Sequence, residues 1–190
     1  AGNKEAQHSY IEIAKDKGYQ VLLLDSPIIP HLIQKLESDN SGLTFVRVDS
    51  DHIDNLIKKE ETAISKLSTE EQESLKTVVE TIVPKQTYTV QLEALDSSAA
   101  PFIITQPEFM RRMKEMSQTG GGGMFGMGNF PEMYNLVVNT NSDLATSILN
   151  NEDKTVQENL VKQALDLAKL SQNLLKGEAL TAFVKRSFEM

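Results

Sequence analysis

Thr155-Val-Gln-Glu-Asn-Leu-Val-Lys-Gln-Ala-Leu-Asp-Leu-Ala-Lys-Leu-Ser-Gln-Asn-Leu-Leu-Lys176, then Gly177, then Glu178-Ala-Leu-Thr-Ala-Phe-Val-Lys-Arg-Ser-Phe188, reads as two amphipathic helices parted by a glycine. Thr155 and Glu158 stand at capping-box spacing. The helix they open is expected to reach Lys176, about 22 residues or roughly 33 Å. One stripe carries Val156, Leu160, Ala164, Leu167, Ser171 and Leu174, and an adjacent one carries Val161, Leu165, Ala168 and Leu175. Leu180, Phe183, Val184 and Phe188 continue the apolar face into the closing helix. A single stripe of this kind is ordinary core. Two together exceed what a small sheet covers. Pairing two such helix pairs about a twofold axis makes a four-helix bundle and removes the face from water. The expected homodimer interface is Val156, Leu160, Ala164, Leu167, Leu174, Leu180, Phe183, Val184 and Phe188. A wholly intramolecular core is the competing reading.

Working back from this pair, Met133 to Val138 reads as a strand, and Asn141-Ser-Asp143 caps a short helix ending at Leu149. Gln86 to Glu93 alternates apolar and polar residues, as a half-buried strand does. Phe102-Ile-Ile104 follows a turn at Ser97 to Pro101 as a short second strand. Ser68-Thr-Glu-Glu71 is a capping box whose helix runs to Val83 and stops at Pro84. The expectation is a mixed α+β domain over 74–190, with a short antiparallel sheet.

The first fifty residues alternate types. A helix over Lys4 to Lys17 ends at Gly18, Tyr19 to Leu24 is a continuous apolar run, and Ser26-Pro27 starts a second helix. Its apolar positions are Ile28, Ile29, Leu32, Ile33 and Leu36, and Leu43 to Val48 reads as another strand. The α-β-α-β order predicts an α/β unit over 1–50 with parallel pairing, the tail of a larger domain. Between the two parts, 51–73 shifts to Asp, Glu, Lys and Ser and reads as a solvated helical boundary. The chain begins at Ala1-Gly2 and is expected to be a piece of a longer protein.

Six of the seven methionines lie between Met110 and Met133, around the run Gly120 to Gly123. Thr105-Gln-Pro-Glu108 is a capping box, so Glu108 to Met116 is expected to be helical. Phe109, Met113 and Met116 share a face there, with Met110 beside it. Met124, Phe125, Met127 and Phe130 follow the glycines. No Gly-Lys-Ser/Thr accompanies them, so a phosphate loop is excluded. Unbranched, polarizable thioethers adapt to many apolar shapes, which fits a surface for changeable partners. Core on the helix and a plain flexible linker at the glycines are the bland alternatives.

A formal charge of −8 argues against nucleic acid, and scattered basic pairs such as Arg111-Arg112 and Lys185-Arg186 do not make a patch. With no cysteine there is no disulfide, zinc–thiolate site or thiol nucleophile. No apolar run is long enough to cross a membrane, and no signal peptide opens the chain. A soluble, cytoplasmic setting is expected. His8, His31 and His52 fall in different elements without carboxylate partners at triad or metal spacing. No catalytic, cofactor-binding or metal-ligating residue is expected.

Lys17-Gly-Tyr-Gln-Val-Leu-Leu-Leu-Asp25, the Met-bearing helix after Pro101, and Ala168-Lys-Leu170 with Leu175-Lys-Gly177, Leu180, Phe183 and Arg186 resemble the ninety-kilodalton heat-shock chaperones. The resemblance runs in the same order over nearly the whole chain. It implies that 1–50 end the middle domain and that the remainder is the C-terminal dimerisation domain of a stress-response chaperone. It further implies a homodimer joined through the last two helices, with Glu108 to Met116 and Met124 to Phe130 facing non-native client proteins. ATP and magnesium belong, by the same resemblance, to an N-terminal domain, with a catalytic arginine earlier in the middle domain. The chain itself is therefore not expected to hydrolyse ATP. Asn139-Thr-Asn-Ser142 replaces the family's Asn-Pro and nearby His, and the loop at Gly177 is short and lacks Asp-Pro. Glu189-Met190 ends without an acidic pentapeptide, so tetratricopeptide co-chaperones are not implied. A flavodoxin-like α/β enzyme using a loop at Leu24-Asp25-Ser26, and a purely structural oligomerisation module, are the alternatives.

Overall fold

The computed structural model describes residues 4–5, 7–26, 28–51, 53–57, 63–107, 109–110 and 133–188. The chain divides into two compact units, 1–58 with 105–133, and 59–104 with 134–190. Among the described residues there are six helices of eight residues or more, a one-turn helix and a three-stranded sheet.

In the first unit, α1 (His8–Asp16) packs against the single turn α3 (Ile53–Leu56), and Tyr10, Ile11, Ala14 and Ile53 are buried. Gly18 ends α1 as expected. Its φ of 83° lets its own N–H reach the Lys15 carbonyl at 2.8 Å and the Tyr19 N–H reach Ala14 at 2.9 Å. The second helix, α2 (Ile29–Asp39), starts later than expected. Ser26 does not cap it with its side chain, and Pro30 occupies the first turn, where a missing N–H costs nothing.

The stretches expected as strands, Tyr19 to Leu24 and Leu43 to Val48, are irregular. Parallel strands need cover on both faces, and Leu22, Leu23, Leu43 and Val46 are exposed. What holds this end instead is Asp49. Its carboxylate accepts from Arg47 Nε at 2.7 Å, from Arg47 Nη2, and from Gln7 Nε2 at 2.7 Å. Burial by itself raises the Asp49 pKa, but the hydrogen bonds and charge of Arg47 and the bond from Gln7 outweigh it, leaving a value below 3.8. A depressed carboxyl contributes stability above its unfolded pKa and loses it as pH falls through the folded one. Asp49→Asn is therefore expected to cost about 1–2 kcal/mol near neutral pH. The gap from wild type should close below pH ~4, as followed by urea unfolding at both pH values.

The second unit begins with a buried leucine, Leu67, and α4 (Thr69–Ile82). The capping box forms as the sequence predicts. Ser68 Oγ accepts the Glu71 N–H at 3.3 Å, and Glu71 Oε2 accepts the Ser68 N–H at 2.7 Å. Val83 turns to ψ 137° before Pro84, the conformation that a following proline demands. Leu75 and Val79 point from α4 into the core.

The sheet comprises β1 (Tyr88–Glu93), β2 (Phe102–Thr105) and β3 (Tyr134–Asn139), in the order β1-β3-β2. It is not the antiparallel sheet expected. β1 and β3 are parallel, in register from Tyr88 opposite Tyr134 to Glu93 opposite Asn139. The Asn139 N–H donates to the Pro101 carbonyl at 2.8 Å, so β2 starts beside the end of β3 and that pair is antiparallel. The sheet is mixed. A central strand is covered on both faces, which explains the unbroken apolar run Leu136-Val137-Val138. Helices α5 (Asp143–Asn150), α6 (Lys154–Ser171) and α7 (Gly177–Ser187) complete the unit. α4, α5 and α6 pack on one another, and α4 also packs on β1.

Where the sheet ends, four consecutive polar residues are buried: Asn139, Thr140, Asn141 and Ser142. Asn139 Oδ1 accepts the N–H groups of Leu95 (3.2 Å) and Asn141 (3.0 Å), and its Nδ2 donates to the Asp96 carbonyl (2.8 Å). Asn141 Oδ1 accepts the Lys66 N–H (2.7 Å), while its Nδ2 donates to the carbonyls of Leu95 (3.0 Å) and Ile64 (3.1 Å). Thr140 Oγ1 donates to Glu93 O and accepts from Ser65 Oγ at 2.9 Å. Ser142 Oγ caps α5 by accepting the Ala145 N–H at 3.2 Å. Three separate segments, at 64–66, 93–96 and 139–142, are thus tied by side-chain amides that mimic backbone. Asn139→Leu strands two N–H groups and a carbonyl, so a loss of about 3 kcal/mol or more is expected from urea unfolding.

Candidate functional site: the closing helix pair

Helix α6 starts on Asp153, not on the Thr155 capping box. The Asp153 carboxylate accepts the Thr155 N–H at 2.8 Å, and Asp153 N–H is itself held by Asn151 Oδ1 at 3.1 Å. Aspartate competes well for an N-cap because it combines a short acceptor with a favourable charge at the helix start. The helix also stops early, at Ser171 instead of Lys176. Asn173 takes a left-handed φ of 55°, its N–H reaching Leu170 O at 3.1 Å while Leu174 N–H reaches Lys169 O at 2.9 Å. That is the Schellman closure, with asparagine in the place usually held by glycine.

Two faces of α6 have different fates. Val161, Ala164, Leu165 and Ala168 are buried in the unit's own core with Leu136, Val138 and Ile148. Lys169 Nζ stands 5.9 Å from the Tyr88 ring, which stacks on Tyr134 at 5.8 Å, so the helix is also clamped over the sheet. The other face carries Val156, Leu160, Gln163, Leu167 and Leu170, spaced alternately by four and three residues, and Leu174 follows beyond the helix end. This is the spacing of a coiled-coil seam. Leu167 (50%) and Leu170 (42%) are exposed, as is Val156, while Leu160 and Leu174 are half-buried against the core.

On α7, Phe183 is buried, Leu180 is half-buried, Val184 is exposed and Phe188 is 86% exposed. Of the residues expected at a homodimer interface, Ala164 and Phe183 are therefore covered within the subunit. Val156, Leu167, Val184 and Phe188 remain open to solvent, and Leu160, Leu174 and Leu180 lie between these extremes. Leu170 belongs to neither apolar stripe read from the sequence. Its signal was the strict four-three spacing, which separates it from the 3.6-residue stripe that includes Ser171.

Polar contacts bind the two helices. Arg186 Nη2 donates to Asp166 Oδ2 at 2.7 Å and Arg186 Nε to Gln163 Oε1 at 3.3 Å. Gln163 Nε2 donates to Ser187 Oγ at 3.2 Å, and Lys169 Nζ meets Asp166 Oδ1 at 3.3 Å.

Of the methionine-rich segment, Phe109 and Met110 are helical, Phe109 being 70% exposed and Met110 half-buried. Met113, Met116, Met124, Phe125, Met127 and Phe130 lie outside the described residues, as does the capping glutamate Glu108. His8 and His31 are exposed, and His52 lies outside the described residues. Among the described residues no three His, Asp or Glu side chains group as metal ligands. Nor is any helix long and apolar enough to cross a membrane.

No family model matches the chain. It is similar to the chaperone protein HtpG of Porphyromonas gingivalis, with 41% identity over 173 residues, 90% of this chain and 25% of that protein. The HtpG proteins of Bacteroides thetaiotaomicron and Bacteroides fragilis match all of this chain over 257 residues at 34% and 32% identity, 38% of their length. The chain belongs to the ninety-kilodalton heat-shock chaperone family. Within that family, the proteins it is similar to carry the name HtpG. It spans about a quarter to two-fifths of the length of these curated relatives. The Bacteroides matches are longer than the 190 residues present here, so those relatives carry residues inside the matched stretch without a counterpart in this chain.

The burial difference along the helix pair has a measurable consequence. Phe183→Ala is expected to cost about 3 kcal/mol or more of folding stability, whereas Leu167→Ala should change the stability of the isolated subunit by less than about 1 kcal/mol. Chemical denaturation at low protein concentration, where any association is absent, separates the two.

Proposed function

We propose that the chain is the self-associating, client-contacting end of an HtpG-type chaperone. The observation that carries this reading is the exposed apolar row on α6 and α7, at coiled-coil spacing, in a chain 41% identical to a named chaperone. A helix that has already filled its own core with one face has no intramolecular use for a second apolar face. A second copy offers the complementary row without any other partner being needed, because a twofold axis sets a seam against itself. Four helices then enclose the side chains that one subunit leaves in water.

In this reading 1–50 are the end of a middle domain, 51–73 a boundary and 74–190 a dimerisation domain. The exposed apolar side chains of Leu22, Leu23, Leu43 and Val46 would be covered by parts of the longer protein that this chain does not span. Phe109, Met110, Met113 and Met116, with Met124, Phe125, Met127 and Phe130, offer non-native clients an adaptable apolar surface, and the exposure of Phe109 supports this. ATP and magnesium would act from another part of the longer protein, and nucleotide-driven closure there would change which client geometry is favoured. No nucleic acid, membrane or tetratricopeptide partner is proposed, and the setting is the cytoplasm.

Two measurements test the reading. Sedimentation equilibrium at tens of micromolar should give a dimer for the wild-type chain and a folded monomer for Leu167→Glu/Leu170→Glu. A wild-type monomer across that range removes the self-association claim. In the longer protein, Met113→Ser/Phe125→Ser should lose most of its suppression of client aggregation while remaining dimeric. Undiminished suppression sinks the client surface.

A further inference from the structure

Helix α7 is poorly anchored by apolar contact. It has eleven residues and only Phe183 is buried. One buried aromatic contributes about 2–3 kcal/mol, and a helix shorter than ~12 residues is marginal by itself. The turn before it, closed at Asn173, supplies no side-chain cap to Lys176 or Gly177. Its placement on α6 therefore depends on Arg186. That guanidinium stands 6.0 Å from the Phe183 ring of its own helix, and its fork spans Gln163 and Asp166 of α6. Lys169 holds the other oxygen of Asp166, so the carboxylate is oriented before Arg186 arrives. The Asp166 and Arg186 side chains retain only 16% and 27% of their exposure, which limits screening by solvent.

Gln163 is the unexpected member. It sits midway along the exposed row of α6, between Leu160 and Leu167, where a polar side chain would interrupt a helical seam. Both of its amide atoms are turned to α7, one accepting from Arg186 and the other donating to Ser187. The row is thereby relieved of an unsatisfied amide. On α7 the apolar row Leu180, Val184 and Phe188 lies about a quarter-turn from the side carrying Phe183, Arg186 and Ser187. Locking that side to α6 fixes where the row points.

We propose that Arg186, Asp166, Gln163 and Ser187 form a positioning clasp, which docks α7 on α6 so that both helices present their apolar rows to a second copy of the chain. The clasp rests on the self-association reading above for its purpose, but its effect on α7 does not require association. Sedimentation equilibrium of the chain with Arg186→Gln should show a dimer dissociation constant raised about tenfold, the factor expected for one charge-assisted hydrogen bond. The swapped pair Asp166→Arg/Arg186→Asp should recover most of that loss, and the surface control Lys185→Gln should leave it unchanged. In the monomeric background Leu167→Glu/Leu170→Glu, amide hydrogen exchange over 178–187 should quicken about tenfold on adding Arg186→Gln, with α4 amides unaffected. A dimeric wild type whose Arg186→Gln variant associates as tightly overturns the clasp. So does α7 exchange unmoved by Arg186→Gln. A wild type that never dimerises overturns the self-association reading instead, and the exchange experiment then decides the clasp by itself.

Discussion

Two buried asparagine side chains, Asn139 and Asn141, hold together the ends of the parallel strand pair in the second unit. Parallel strands leave backbone groups at their ends with nowhere to go except loops, and here the loop after β3 is buried, as is Leu95 after β1. Each carboxamide has one acceptor oxygen and two donor hydrogens, and the network uses both kinds on each residue. The satisfied groups are backbone N–H and C=O that would otherwise be stranded away from water. An apolar residue of similar size would fill the space and leave those groups bare. The penalty for that exceeds what the extra apolar surface returns.

That junction decides what α6 can do. With β1 and β3 locked in register and α4 and α5 packed around them, the core accepts one face of α6 and no more. Small residues at Ala164 and Ala168 allow the helix to approach closely, and Lys169 over Tyr88 prevents it from rolling. Leu167 and Leu170 then point outward because the opposite side of the helix is occupied. Their exposure is a result of the fit inside, not of weak packing. The same geometry sends Asp166 and Gln163 toward α7, where polar contacts do the docking that a single buried phenylalanine cannot.

Local signals were legible where one or two neighbouring residues settle the conformation. Gly18 closed α1, Ser68 and Glu71 boxed α4, Pro84 ended it, and Ser142 capped α5. The alternation over Tyr88 to Glu93 marked a strand with one covered face. The readings of helix ends that failed involved choices between near-equivalent local options. Asp153 displaced Thr155 as a cap, Pro30 displaced Pro27 as the first-turn proline of α2, and Asn173 ended α6 by adopting a left-handed backbone that no glycine announced. For the site, the sequence exposed both apolar stripes of α6 but could not say which was already spoken for. Ala164 and Phe183 turned inward, while Leu170, unnoticed among the stripes, faced out.

By itself the sequence determined the order of the elements in the second unit, most of their limits, the breadth of the apolar face at the end of the chain and the family resemblance. These follow from periodicity, caps and residue chemistry within a few positions of each other. Only the tertiary structure decided that the sheet is mixed, that Asn139 to Ser142 are buried, and which side of α6 is left over. Each of those depends on which distant segment lies alongside. Strand direction and helix rotation leave no mark on neighbouring residues, because the free energy that selects them comes from contacts formed across the fold.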